Sequence, residues 1–175
     1  LAQGLKGVSL SASWMWPCRN EGEDARLYKA VNAASEFAIA LGINIPTGKD
    51  SLSMTQKYPG GEKVLSPGTV IITSAAEVSD IAKSVSPALK SGRSDIIYVD
   101  LSQSGFGLGG SSFGQVVGAV GMDVPTVGDP AYFASGFAAV QKLINDGMVL
   151  AGHDISAGGL INAPVGMEFG ANPLG

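Results

Sequence analysis

The sequence predicts a mixed fold of the α+β or α/β class, a layered sheet with helices, and three observations carry that expectation. A period-two stretch at residues 8–16 is followed by a helical stripe at 27–41. From residue 67 on, extended apolar runs alternate with helical ones, the pattern of a sheet layered with helices. The apolar share is 45% against only 15% charged residues, which gives a core the material that disordered chains lack.

Each element follows from local chemistry. Val8, Leu10, Ala12, Trp14 and Trp16 alternate with Ser9, Ser11, Ser13 and Met15, which reads as a strand. Pro17 to Asp24 is polar loop. Leu27, Ala30, Val31, Ala34, Phe37, Ala38 and Leu41 recur at helical spacing, with Glu23 and Asp24 at the positive end and Gly42 as the stop. A short strand, Ile43 to Ile45, is expected to end at Pro46, and Asp50–Lys57 reads as extended. Pro59-Gly60-Gly61 is a turn. Ser66-Pro67-Gly68 punctuates the entry to a buried strand, Thr69–Val78, and the domain boundary is placed there, giving 1–65 and 66–175. Further strands are expected at Asp95–Leu101 and Met148–Gly152. Helices are expected from Ser111 to Gly121, from Asp129-Pro130 to Gly147 with a stripe of Phe133, Phe137, Val140 and Ile144, and from about Ala157 onward.

Composition narrows the function classes. A net charge of −4 argues against a nucleic-acid binder, which needs a basic stripe. No apolar run approaches the ~18 residues of a membrane span. The single cysteine, Cys18, has no partner for an internal disulfide and suits a reducing compartment such as the cytoplasm. Residues 101–175 hold 16 of the 25 glycines and 6 of the 26 charges, so glycine gathers where charge thins out. The chain starts at Leu1 and its final Asn172-Pro173-Leu174-Gly175 closes no element, as in an excerpt of something longer.

The strongest chemical candidate is the strand–turn–helix at Gly152–Leu160. It delivers His153 and Asp154 to a turn, offers Ser156 as a cap, and places Gly158-Gly159 where a ligand could approach the backbone. Free N–H groups at a helix start favour phosphate, and the Asp154 carboxylate suits the Mg²⁺ that accompanies phosphates. The plainer reading is that Asp154 and Ser156 only cap the helix. Gly105-Phe-Gly107-Leu108-Gly109-Gly110 matches G-x-G-x-x-G, but no strand ending in an acidic residue follows at the required distance, so a dinucleotide site is rejected and a generic glycine turn expected, with a phosphate contact as the alternative. Gly48-Lys49-Asp50-Ser51 resembles a P-loop tail. It fails because Asp50 stands where Ser or Thr should follow the lysine and Gly42 is one residue too far upstream, so a polar turn at a strand end is expected. No Cys/His cluster suggests zinc.

Four unusual strings occur in order: Ser11-Ala-Ser-Trp-Met-Trp16, Asn20-Glu-Gly-Glu-Asp-Ala-Arg-Leu-Tyr28, Leu41-Gly-Ile-Asn-Ile-Pro-Thr-Gly-Lys-Asp-Ser-Leu-Ser-Met54 and Ala151-Gly-His-Asp-Ile-Ser-Ala-Gly-Gly-Leu160. Together they resemble the long-form phosphoribosylformylglycinamidine synthases, of the aminoimidazole-ribonucleotide-synthetase-like superfamily. The resemblance implies the end of a second A domain (1–65) followed by most of a second B domain (66–175). It implies an ATP-dependent ligase of purine biosynthesis, a glutamine amidotransferase that uses glutamine to turn formylglycinamide ribonucleotide into formylglycinamidine ribonucleotide. This part would contribute to an auxiliary, structural ADP–Mg²⁺ site, with Asp154 as a metal ligand and Ser156 touching the nucleotide. Lys49 and Asp50 are weaker nucleotide-binding candidates. The implied partners are the first synthetase half and the glutaminase domain. No catalytic residue is expected in this chain, which should be inert alone. A nucleotide-binding scaffold and another synthetase of the superfamily are the rival readings.

One string departs from the family, which continues its last helix past the position of Leu160. Pro164 should remove a helix bond and clash with the carbonyl of Leu160, at about 3 kcal/mol. The helix is therefore expected to stop or kink before Pro164.

Overall fold

The computed structural model describes residues 1–171, and the terminal Asn172–Gly175 string lies outside them. The chain is mixed α/β and divides into two compact units, Leu1–Ser79 and Asp80–Gly175. A short 3₁₀ turn, Gly4–Gly7, leads into the first unit's central strand.

That unit is built on β1 (Ser9–Met15), α1 (Glu23–Leu41), β2 (Asn44–Ser51) and β5 (Thr69–Ala75). The sheet order is β2-β1-β5, with β2 parallel and β5 antiparallel to β1. Parallel neighbours need a crossover, and α1 supplies it. Its expected stripe is the more sheltered side, with Ala38 buried, while Tyr28 and Ile39 stay exposed. Gly42, with φ of +69°, ends the helix as foreseen, its N–H bonding back to Ala38 and Ile39.

β2 differs from the expected short strand. It runs through Pro46 because the pairing slips there: Ser9 faces Asn44 but Ser11 faces Thr47, so β2 carries one extra residue opposite β1. A proline has no N–H for a ladder and is tolerated at a bulge on an edge strand, and β2 is both. Beyond the bulge, Gly48 lies opposite Ala12 so closely that a side chain would overlap the Ala12 carbonyl oxygen.

After β1 the chain turns inward. Trp16 and Pro17 are buried. The Trp16 N–H donates to Ser51 O at 2.8 Å and Cys18 N–H to Leu52 O at 3.0 Å. A Cβ on Gly68 would overlap the Trp16 ring, so the Ser66-Pro67-Gly68 turn is moulded on the indole. The Arg26 guanidinium lies 5.8 Å from the ring centroid, held by Glu23 at 2.6 Å. β3 (Thr55–Lys57) and β4 (Lys63–Leu65) form a hairpin around Gly60 and Gly61, both at positive φ as its turn requires. β5 is not the buried strand expected. Val70, Ile71 and Ile72 are 40–55% exposed on this edge strand. It follows the expected 65/66 boundary and completes the sheet of the first unit.

The second unit contains a 3₁₀ turn (Ile81–Lys83), α2 (Ser112–Val116), α3 (Pro130–Asn145) and α4 (Gly159–Ala171). Among its described residues neither expected strand forms. Ile96, Ile97, Tyr98 and Val99 are 48–79% exposed, with no neighbouring strand to hydrogen-bond them. The 148–152 stretch is likewise without a ladder. Ser111 does cap α2, accepting from Gly114 N–H, but the helix stops early because Gly118 turns at φ +69°. α3 starts as read: Asp129 accepts the N–H groups of Ala131 and Tyr132, and Pro130 sits in the first turn. Phe133 and Phe137 stack at 6.4 Å along its sheltered stripe.

The helix does not stop at Pro164: α4 continues to Ala171 with the proline inside it. Gly159, at φ +73°, acts as the turn into the helix, so Pro164 falls where its missing N–H removes only one of the first intrahelical rungs, the one to Leu160.

Candidate functional site

Asp154 and Ser156 lie together on the loop between α3 and α4, and their local structure starts at Gly147. That residue closes α3 at φ +72°, with Met148 N–H bonding back to Leu143 O. The chain then passes Ser86, whose carbonyl accepts from Gly152 N–H at 3.1 Å. His153, Asp154, Ile155 and Ser156 follow with no regular structure, and Gly159 N–H donates to Ser156 O at 2.9 Å as α4 begins.

The capping reading of these residues fails. The Asp154 side chain is 84% exposed and its nearest polar neighbour is His153 Nδ1, 3.4 Å from Oδ1. Ser156 is exposed, and its hydroxyl bonds no helix N–H among the described residues. Helix caps in this chain look different: Asp129 and Ser111 each close a measured N–H···O contact. A carboxylate that meets His153 Nδ1 and a hydroxyl two residues on cap no helix and remain open to solvent.

An exposed carboxylate is a suitable oxygen donor for a hard cation, so Asp154 fits Mg²⁺ as one ligand. Among the described residues no three His, Cys, Asp or Glu side chains gather into a metal cluster. Mg²⁺ commonly takes one or two carboxylates together with phosphate oxygens and water.

Lys49 and Asp50 are not in a turn. Both lie inside β2, in the first unit, where Asp50 faces Trp14 across the ladder. Consecutive strand residues point to opposite faces, so the two cannot reach one ligand from the same side. The Lys49 ammonium donates to Ser51 Oγ. An open depression of about 300 Å³ runs past them, lined also by Ala12, Trp14, Ile45, Thr47 and Gly48.

The glycine string 105–110 is a folded turn whose polar groups are consumed at home. Gly107 and Gly109 are buried against Asp123, and Gly109 N–H donates to Asp123 O at 2.7 Å. Gly110 N–H donates to Val120 O at 2.8 Å. A glycine turn forms here, and Gly107 and Gly109 admit the close approach of the Asp123 backbone. Just before it, Asp100 accepts from the Ser102 hydroxyl at 2.6 Å and from Ser102 N–H at 2.8 Å. Those bonds, the hydroxyl's foremost, hold its carboxyl below the ordinary carboxylate value.

The contact of His153 with Asp154 was not anticipated. Its one signal in the sequence is adjacency, which says nothing about where a ring nitrogen points.

Comparison with known proteins follows the same division. Residues 1–77 match the family described as "FGAR-AT PurM_N-like domain", which coincides closely with the first compact unit. Its mixed α/β architecture is consistent with that family's domain. Over 170 residues, 96% of the chain, the sequence is 43% identical to "Probable phosphoribosylformylglycinamidine synthase, chloroplastic/mitochondrial" of Arabidopsis thaliana. The match spans 12% of that relative's length, so the chain is similar to one segment of a longer protein. No helix among the described residues is long and apolar enough to cross a membrane.

Proposed function

We propose that this chain is part of an ATP-dependent, carbon–nitrogen bond-forming ligase of purine biosynthesis. The whole enzyme would convert formylglycinamide ribonucleotide, glutamine and ATP to formylglycinamidine ribonucleotide. The observation that carries the reading is 43% identity sustained over 96% of the chain. The first unit would close the second A domain, past the boundary expected at 65/66, and the second unit would form most of the second B domain. The remaining partners would be the first synthetase half and the glutaminase domain, with a reducing compartment such as the cytoplasm as the setting.

Within that enzyme, this segment contributes Asp154 and Ser156 to an auxiliary ADP–Mg²⁺ site. The reading is supported by two side chains that cap no helix and lie exposed on one turn. Mg²⁺ bound there would neutralise phosphate charge. Asp154 would hold it through a carboxylate oxygen, Ser156 would hydrogen-bond the nucleotide, and the turn would keep both in reach of one phosphate group. Lys49 and Asp50 are the weaker candidates, since they occupy opposite faces of β2. No residue of this chain carries the bond-forming chemistry, so the segment alone is inert.

The test is binding of ADP with Mg²⁺ to the full-length protein, followed by melting temperature and calorimetry. Asp154→Ala should remove the stabilisation, and Ser156→Ala should weaken it. Unchanged binding in Asp154→Ala would refute the site. Synthesis of formylglycinamidine ribonucleotide by the isolated segment would refute its inertness.

A further inference from the structure

His153 and Asp154 are adjacent in sequence but opposite in environment. The imidazole side chain is 31% exposed, against 84% for the carboxylate beside it. Nδ1 lies 2.6 Å from the backbone oxygen of Asp154. A carbonyl oxygen only accepts, so this contact requires the proton on Nδ1, which leaves Nε2 as the acceptor of the neutral ring. The Nε2 edge rests beside α4, 4.0 Å from the place a Cβ on Gly166 would take. Between the Gly152–Ser86 bond and the Gly159–Ser156 bond, this is the one hydrogen bond tying down the chain among the described residues.

We infer that His153 is a positioning residue for the Asp154 site. Seated beside α4, it donates Nδ1–H to the Asp154 carbonyl and so fixes the peptide that presents the carboxylate to a hard divalent cation. The inference rests on the reading of Asp154 as a Mg²⁺ ligand. Its physical basis is that a ligand on an untethered loop must be ordered when the cation binds, and a hydrogen bond made beforehand removes that cost. Outer partners of metal ligands commonly matter for affinity in this way.

The test titrates Mg²⁺ into the full-length protein in the presence of ADP, reading both calorimetric affinity and the melting temperature without metal. His153→Ala should weaken Mg²⁺ binding about tenfold or more, with the metal-free melting temperature unchanged. His153→Asn places an amide nitrogen where Nδ1 stood and should stay within about threefold of the parent. His153→Gln keeps the bulk but reaches the Nε2 position, and should fall with the alanine variant. It replaces that variant if alanine does not fold. Parent-like binding by both His153→Ala and His153→Gln, or equal losses in Asn and Gln, would overturn the inference while leaving Asp154 intact. Parent-like binding by Asp154→Ala would overturn the site itself, and the inference with it.

Discussion

Two glycine-rich turns of the second unit make opposite use of the same residue. In the 105–110 turn, glycine lets one backbone press against another. Gly109 needs no unusual φ, yet a Cβ there would stand 2.8 Å from three backbone atoms of Asp123. In the 153–159 turn, Gly159 has nothing within 4 Å of that position but adopts φ +73°. The first glycine is required by its neighbour and the second by its own conformation. Only the second turn leaves polar side chains over for chemistry.

The comparison can be broken at several points. Gly109→Ala should cost the most, about 1–3 kcal/mol of unfolding free energy, because backbone rather than a flexible side chain blocks the new methyl. Chemical denaturation measures this, and a loss below about 0.5 kcal/mol, the level of a neutral surface change, would show that the two segments separate easily. Gly159→Ala should cost about 1 kcal/mol from the left-handed conformation alone, with Gly159→Asn less affected. Equal costs for alanine and asparagine would point to packing instead.

Asp154→Ala should change stability without ligand by no more than about 0.5 kcal/mol, as for exposed positions elsewhere. A larger loss would mean that the carboxylate belongs to the fold after all. The smallest effect is expected from Asp100. Its folded pKa is depressed by the Ser102 bonds, so its contribution is present above the ordinary carboxylate range and is lost as pH falls through the lowered folded value. Ser102→Ala should raise the Asp100 pKa in an NMR titration. An unmoved midpoint would remove the hydroxyl as the cause.

Much of this was legible in the residues. The α1 stripe, the Asp129-Pro130 start of α3 and the Gly42 and Gly147 stops all follow from local rules that involve a few neighbouring residues. The expected strands at 95–101 and 148–152 show the limit. Ile96-Ile97-Tyr98-Val99 states that a segment suits extended backbone, but a strand also needs a partner, and no local pattern reports one. Pro46 and Pro164 mislead for a related reason. Each removes one N–H, and the surrounding structure absorbs the loss: a bulge on an edge strand at Pro46, and a helix that runs on to Ala171 at Pro164. At the site, Asp154 and Ser156 could be read from turn chemistry. The glycines could not, since G-x-G-x-x-G does not say whether phosphate or Asp123 faces it.

The bulge in β2 gives the sheet a spare residue. Because Asn44 and Thr47 flank one more residue than Ser9 and Ser11 do, excising Pro46 would leave Gly48 opposite Ala12 and Asp50 opposite Trp14. Excising Thr47 would equally consume the slack. A deletion downstream, at Lys49, would pull Ser51 opposite Trp14 and reverse which side each following residue faces. Length variation in this strand is therefore tolerable at one end and disruptive at the other, and homologues that differ by a residue here should differ beside Pro46.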